Sequence, residues 1–491
     1  MKRPPTLPGT GLSIALAALA ALAALVAPSP ARAAPWGLPE LSAKSKVCIE
    51  CHKKENLAIY QQWGSSKHFR ANVGCYECHA AEVGEADAFL HEGELIATIV
   101  SPKDCARCHE KETKEFGESH HSKGARILGS LDNNLAEVVE GNSAFKSPAF
   151  PDGNSASAVS GCWQCHGSEI KVLEKGKLDP ATWPNTGIGR INPDGSEGSC
   201  SACHSRHTFS AWLARHPDNC GKCHMGPDHP QREIYYESKH GIAFLAFQDK
   251  LNMDSAKWVV GEDYSSAPTC ATCHMSATKT QGVSHDVGLR ISWNNRPAVS
   301  IRPEASDKKM GLASAAVDWK TRRANMQDVC GNCHEKQWVE NFYVQYDGLI
   351  QLYHEKFAEP GLALYGLAKP LLRPVEFSNK VDFTWYEIWH HEGRRARHGA
   401  SMMGPDYTHW HGTYEVAKNF YSEYVPELEH LATEGLASGE APRVEAAKAL
   451  RAKLDEVLGS ANHRWYINQM DPAEKDRRAR AAEEFRKRYG K

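Results

Sequence analysis

Sixteen cysteines in this chain of 491 residues fall into eight pairs, each with two residues between its members: Cys48/Cys51, Cys75/Cys78, Cys105/Cys108, Cys162/Cys165, Cys200/Cys203, Cys220/Cys223, Cys270/Cys273 and Cys330/Cys333. A histidine follows each pair at once: His52, His79, His109, His166, His204, His224, His274 and His334. Two thiols on one helical turn can form thioethers along one edge of a porphyrin, and the adjacent imidazole then lies beneath the iron as its proximal ligand. Cys-x-x-Cys-His is accordingly the attachment signature of haem c. Structural zinc and disulfide frameworks also use Cys-x-x-Cys, but neither requires the histidine. With His at 25 of 491 positions, eight chance occurrences after eight pairs have a probability on the order of 10⁻¹⁰. The sequence therefore predicts eight covalently bound haem c groups.

The motifs span Cys48 to His334, about 36 residues per haem. So little chain cannot wrap each porphyrin in its own apolar shell, so the haems must lie close together and form much of the core. The spacing between motifs has no fixed period, which excludes a solenoid of equal repeats.

A low-potential haem takes a second histidine, and 17 remain after the eight proximal ones. The expected distal ligands are His68, His91, His120 or His121, His207, His240, His285 and His398. That makes seven for eight irons, and leaves one haem open.

At this point the residues carry a resemblance. The strings Gly161-Cys162-Trp163-Gln164-Cys165-His166-Gly167, Ser205-Arg206-His207, Cys223-His224-Met225-Gly226-Pro227-Asp228-His229-Pro230, Ser238-Lys239-His240-Gly241 and Met402-Met403-Gly404-Pro405-Asp406-Tyr407-Thr408 resemble the octahaem hydroxylamine oxidoreductase family over nearly the whole chain. The resemblance implies that the fourth haem, on Cys162, Cys165 and His166, is catalytic with an open distal face. It puts the family's acid/base pair on Asp228 and His229. The tyrosine that in oxidising members crosslinks to the catalytic haem of the adjacent subunit falls on Tyr407, so one haem is expected to be modified by that crosslink, in a homotrimer. Two comparisons set limits. Pentahaem nitrite reductase also has a Cys-Trp-x-Cys catalytic motif, but a lysine follows it where His166 stands here. Ammonia-oxidiser members have a further pocket tyrosine before a proline, where this chain reads Trp293-Asn294-Asn295-Arg296-Pro297.

The residues themselves agree with this chemistry. Oxidising hydroxylamine to NO removes three electrons and three protons, and hydrazine to dinitrogen four of each. Asp228 beside His229 can supply a base, and seven haems an electron sink. The bland alternatives are a surface turn between Pro227 and Pro230, and a core aromatic at Tyr407. The expected activity is hydroxylamine oxidation to NO or nitrite, with electrons passed to a cytochrome c-type acceptor. Hydrazine dehydrogenase, reduction of nitrite or hydroxylamine to ammonia, and a non-catalytic multihaem electron carrier are the alternatives.

The elements that must hold these residues are mainly helical. A composition of 41% hydrophobic and 24% charged residues is that of a globular protein. Lys2 and Arg3 precede an apolar run from Leu12 to Val26, and Ala31-Arg32-Ala33 offers a cleavage site. Residues 1–33 thus read as a secretory signal peptide, and the mature protein as soluble in the periplasm or an equivalent extracytoplasmic compartment. Losing that leader leaves 55 basic against 60 acidic residues, or −5, no footprint for nucleic acid. Residues 34–335 are expected to form an octahaem cytochrome c domain, and 336–491 a helical region making subunit contacts. Gly and Pro crowd 180–198 as a loop. Helices are expected over Trp338 to Leu352 with Pro360-Gly361 ending that segment, over Asn379 to Arg397, over Tyr414 to Glu434, and from Ala441 onward. Strand signals are scarce. The fold class is mainly α, a multihaem cytochrome c with a haem-packed core and long C-terminal helices.

Overall fold

A computed structural model describes residues 40–128, 138–141, 145–293 and 317–490. The expected signal peptide, residues 1–33, and the Asn294-Asn295-Arg296-Pro297 segment lie outside the described residues. The fold is mainly α, as the sequence predicts. Two short hairpins, Ala88–His91 with Glu94–Ala97 and Phe145–Ser147 with Phe150–Asn154, are its regular β-structure among the described residues.

Each Cys-x-x-Cys-His motif sits on a helical turn, the first inside the helix Ala43–Glu55 and the eighth at the end of the helix Trp319–Cys330. Where Ala43–Glu55, Cys75–His79, Cys162–His166 and Cys270–His274 are helical, the i, i+4 geometry puts cysteine and histidine one turn apart. The same turn closes in the other motifs: the His109, His204, His224 and His334 amides each donate to the carbonyl of the first cysteine of their motif, at 2.9 to 3.0 Å.

The C-terminal half builds its own apolar core from long helices. Lys336–Tyr353, Glu359–Ala368, Lys380–Tyr386, Gly393–Met402, Val425–Ala437 and Ala441–Gly459 are the main elements. Tyr353, Leu364, Ile388, Phe420, Tyr424, Leu428, Leu450 and Leu454 bury almost completely in one cluster. Each such side chain removed from water contributes about 1.5–3 kcal/mol.

Pro360-Gly361 does not end the first long helix. The chain passes through a wider π turn, His354–Ala358, and continues into Glu359–Ala368, with Pro360 in that helix's first turn. A proline there has no hydrogen bond to lose. Gly361 is needed because the Trp385 ring packs on it: a Cβ would stand 2.4 Å from Trp385 Cζ3. The second expected helix likewise exceeds its limit. Lys380–Tyr386 widens into a π turn over Glu387–Glu392 and resumes as Gly393–Met402, five residues past Arg397. A π turn at His409–Tyr414 precedes the third expected helix, and another at Phe420–Tyr424 interrupts it. No described helix is long and apolar enough to cross a membrane.

Candidate active site and haem cavity

A connected cavity of about 3,520 Å³ runs through the motif-bearing region, and cysteines or histidines of seven of the eight motifs line it. A pocket for one drug-sized ligand measures roughly 300–1,000 Å³, so this space suits several porphyrin-sized groups. No two of the sixteen cysteines are joined in a disulfide. Among the described residues no three His, Cys, Asp or Glu side chains converge as an ion site; the donors instead face one another in pairs across gaps.

The first motif lies outside this cavity. Cys51 is exposed, and neither it nor Cys48 nor His52 lines the shared cavity. The reason is where its helix docks. Ala43–Glu55 packs on the second motif through its first turn, with Ser45 Oγ accepting from the Tyr76 amide at 3.0 Å and donating to Glu77 at 2.7 Å. Cys48, one turn on, still neighbours Cys75. Cys51 lies a further turn along, past that contact and toward solvent.

The gaps between facing rings have one size. Ring centres lie 6.1 Å apart for His52 and His91, 6.1 Å for His68 and His109, 6.0 Å for His121 and His224, 6.4 Å for His204 and His285, and 6.1 Å for His240 and His334. Two imidazoles bound through nitrogen on opposite sides of one metal, at about 2 Å each, hold their centres roughly 6 Å apart. The residues therefore fit a haem between each pair. His91 reaches its place at the end of a hairpin whose two turn residues, Glu92 and Gly93, have φ of 50° and 84°, as a type I′ turn requires. His52 Nδ1 faces Asn56 Oδ1 at 2.7 Å and His79 Nδ1 faces the Ala97 carbonyl at 2.8 Å. A proton held at Nδ1 leaves the Nε2 lone pair for a metal.

Burial pushes His121 and His204 down to about 4 and His224 to about 3. Burial likewise lowers His68, His240, His274 and His285, keeping these rings neutral, the form that binds metal. His207 is lowered by burial and then by the charge of neighbouring His79. His120 is exposed beside His121. His398 is buried on the side of His224 and His229, its ring 5.4 Å from that of Trp293 and its Nε2 3.4 Å from Gln231 Nε2.

The motifs also touch each other in a definite order. The Cys105 and Cys200 side chains are close neighbours, as are Cys165 with Cys223 and Cys220 with Cys270. Cys48 neighbours Cys75, Cys78 neighbours Cys105, Cys203 neighbours Cys220, and Cys273 neighbours Cys330. The first, second, third, fifth, sixth, seventh and eighth motifs follow one another in a line, and the fourth joins it at the sixth.

Asp228 and His229 stand beside Cys165 of the fourth motif, close enough for both to act on its thiol. Asp228 accepts a short hydrogen bond from His229 Nδ1, while His229 Nε2 donates to the Cys223 carbonyl at 3.0 Å. A ring with an acceptor at each nitrogen is an imidazolium. Burial alone would lower the His229 pKa, but the hydrogen bond and charge of Asp228 outweigh it and the net shift is upward. Burial would raise the Asp228 pKa; the hydrogen bond from His229 and the charges of His229, His390 and Arg394 hold its carboxyl well below the usual range.

His390 and Arg394 are the site residues that sequence reasoning missed. Arg394 Nη1 lies 3.4 Å, and His390 Nδ1 3.7 Å, from Asp228 Oδ2. Their signal was the His390-His391-Glu392-Gly393-Arg394-Arg395 string, dense in titratable groups within a segment read only as helix. The π turn at Glu387–Glu392 hands His390 to the site; such turns recur at functional sites.

Tyr407 sits on the short helix Pro405–Thr408. Met403 ends the preceding helix at φ 55°, and Gly404 lets the chain pack onto Ile234 and Glu237, where a Cβ would stand 2.5 Å from Glu237 Oε1. The Tyr407 amide faces that carboxylate at 3.3 Å and its ring lies 5.2 Å from His411. Burial raises its phenol pKa. Met403, Trp410 and Tyr414 are half-exposed around it.

Residues 194–358 match the family described as seven times multi-haem cytochrome CxxCH, and residues 104–189 match cytochrome c554 and c-prime. A probable nitrite reductase-hydroxylamine oxidoreductase fusion protein of Kuenenia stuttgartiensis is 29% identical over 326 residues, 60% of this chain and 34% of that relative. The multiheme cytochrome MtrA of Shewanella baltica (strain OS185) is 22% identical over 247 residues, 50% of this chain and 59% of the relative. The chain thus spans between about a third and three fifths of these curated relatives. Among solved structures, a hypothetical multiheme protein superposes with a TM-score of 0.67 at 25% identity, covering 83% of this chain and 97% of its own. A reducing HAO-like protein complex of Kuenenia stuttgartiensis gives 0.53 at 18% identity, covering 83% and 85%, a likeness of fold. The chain is a multihaem c-type cytochrome with covalently bound haem c and a haem-based redox function, and its likeness runs to hydroxylamine oxidoreductase-like proteins.

Proposed function

We propose that this chain is an octahaem c-type oxidoreductase that oxidises hydroxylamine to NO or nitrite at the haem held by Cys162, Cys165 and His166. The observation that carries the reading is the Asp228–His229 pair beside Cys165, with Arg394 and His390 around the carboxylate. When bound, the haems supply an iron for the substrate nitrogen at the fourth site and an electron sink at the others.

The chain's own residues handle the protons. Hydroxylamine to NO releases three protons and three electrons. Asp228, held as a carboxylate, accepts a proton or orients the imidazole, and His229 holds a positive charge over the site until its own proton is drained. The facing rings support His52 with His91, His109 with His68, His204 with His285, His224 with His121 and His334 with His240 as the residues that would hold five of the haem irons, and His207, which neighbours His79, would serve a sixth with it. His120 and His398 are the remaining histidines that the sequence offers as ligands. Electrons leave the fourth site through the sixth, where the motif line branches, toward a cytochrome c-type acceptor.

Residues 34–335 form the octahaem domain in this reading. The helical region 336–491 presents Tyr407 to the adjacent subunit of a homotrimer in an extracytoplasmic compartment. Hydrazine oxidation would use the same groups. The description of the 29%-identical relative, which includes nitrite reductase, favours as a second reading the reduction of nitrite or hydroxylamine to ammonia; Tyr407 favours oxidation.

The test is turnover of the purified holoprotein with hydroxylamine and oxidised cytochrome c, after mass spectrometry has counted eight haems. Asp228→Asn should keep all eight haems and lose about 10² to 10⁴ in rate, the ordinary worth of a positioned base. Eight six-coordinate bis-histidine haems and no turnover would make the chain an electron carrier.

A further inference from the structure

A path of titratable side chains leads from Asp228 to the surface. His390 Nδ1 lies 3.7 Å from Asp228 Oδ2, and the His390 side chain is 5% exposed. The next ring along the chain, His391, stands 5.3 Å from it between centres at 69°. His391 Nδ1 meets Glu387 Oε2 at 2.7 Å, and the Glu387 side chain is 46% exposed. Exposure thus rises from 5% at His390 through 16% at His391 to 46% at Glu387.

One side chain fixes the two imidazoles. The Tyr386 ring stacks on His390 at 4.2 Å and 17°, and meets His391 edge-on at 5.4 Å and 82°. Side chains adjacent in sequence on a regular helix diverge by about 100°. The π turn Glu387–Glu392 begins immediately after Tyr386 and carries both histidines. The His391–Glu387 bond spans four residues inside it.

We propose that His390, His391 and Glu387 are a proton relay that carries the protons released at Asp228 and His229 out to solvent. The relay rests on the proposed oxidation at this site. The balance is simple: each hydroxylamine converted to NO breaks bonds to three hydrogens, its three electrons pass through the haems to the external cytochrome, and its three protons need a route out. His229 faces acceptors at both nitrogens, so a second proton cannot stay there. Asp228 takes it up, His390 receives it, and His391 passes it to the Glu387 carboxylate and water. An imidazole accepts at one nitrogen and releases from the other, which suits two of them to this place.

The experiment uses the haem-loaded protein and the variants His391→Ala and Glu387→Gln, both checked for eight haems and an unchanged absorption spectrum. His430→Ala removes an exposed imidazole from another histidine–carboxylate pair, His430 with Glu434 at 3.2 Å, and serves as control. The relay predicts kcat lowered at least fivefold in both relay variants, KM within twofold, and a larger solvent deuterium isotope effect on kcat. Added imidazole should restore His391→Ala and leave Asp228→Asn slow. A structural role would change haem content or KM and would not respond to imidazole. Wild-type rates and isotope effects in both relay variants overturn the relay while leaving hydroxylamine oxidation standing. A wild type that turns over only in the reductive direction overturns the proposed oxidation, and the same variants then test proton uptake by the same readouts. A wild type inactive in both directions overturns both proposals.

Discussion

The His121 ring centre lies 6.0 Å from that of His224, while its sequence neighbour His120 is exposed. Sequence alone offers two adjacent histidines with equal claims. The structure turns one of them toward the sixth motif, because the short 3₁₀ turn His120–Lys123 points consecutive side chains in different directions. In the holoprotein His121→Ala should convert one haem of eight to a high-spin form, visible by electron paramagnetic resonance, with free imidazole reversing the change. An unaltered spectrum would move the ligand role to His120.

Covalent haem c was legible because its attachment is a local pattern: cysteines, histidine and helical turn all fall within five residues. Which histidine rings face one another was not legible, since His204 meets His285 and His224 meets His121 only through the tertiary fold. Arg394 is 166 residues from Asp228 in sequence, and no period or motif joins them. The helix over Trp338 to Leu352 was readable from its spacing. Its continuation past Pro360 was not, because a π turn displaces the hydrogen-bonding pattern that makes a proline a stop signal.

Arg394 tests how far the Asp228 carboxylate depends on its neighbours. Burial alone would raise the pKa of Asp228; positive charge around it, that of Arg394 included, reverses the sign. Arg394→Gln keeps much of the side chain's volume and removes one charge, so the Asp228 pKa should rise. Since the base must be ionised, the acidic limb of the kcat/KM profile should move to higher pH while the rate at high pH falls little. A profile that stays in place would mean that His229 and His390 alone hold the carboxylate ionised.

Glu392 gives a stability prediction. It is 3% exposed, accepts a short hydrogen bond from Asn419 Nδ2, and is pushed up to about 7, chiefly by burial. With a folded pKa above the unfolded value of about 4.3, the fold favours the protonated form. Its contribution is complete below about 4.3 and is lost as pH rises through about 7. Glu392→Gln retains an acceptor for Asn419 and cannot ionise. At pH 4 the variant and the wild type should melt together. At pH 8 the variant should melt several degrees higher, from about 1–3 kcal/mol of relieved desolvation. Equal melting temperatures at pH 8 would show that Arg395 neutralises the buried carboxylate.

Tyr407 tests the proposed direction of the reaction. Its backbone is locked onto the helix Gln231–Glu237 through Gly404 and the Glu237 carboxylate, which fixes where the phenol can reach. Half-exposed Met403, Trp410 and Tyr414 around it offer apolar area that a neighbouring subunit would cover, as aromatics and methionine do at interfaces. A covalent bond from this phenol to a partner's haem would distort the macrocycle and change the iron's potential, a lever the protein holds over the haem's electronics. Tyr407→Phe keeps the ring and its packing against His411 and loses the oxygen. The variant should show ordinary haem c absorption at the fourth site and run as monomers on a denaturing gel. It should lose hydroxylamine and hydrazine oxidation and keep any reductive activity. The wild type should run as a covalent trimer on the same gel. Wild-type monomers there would remove the intersubunit bond and make reduction the leading reading of this site.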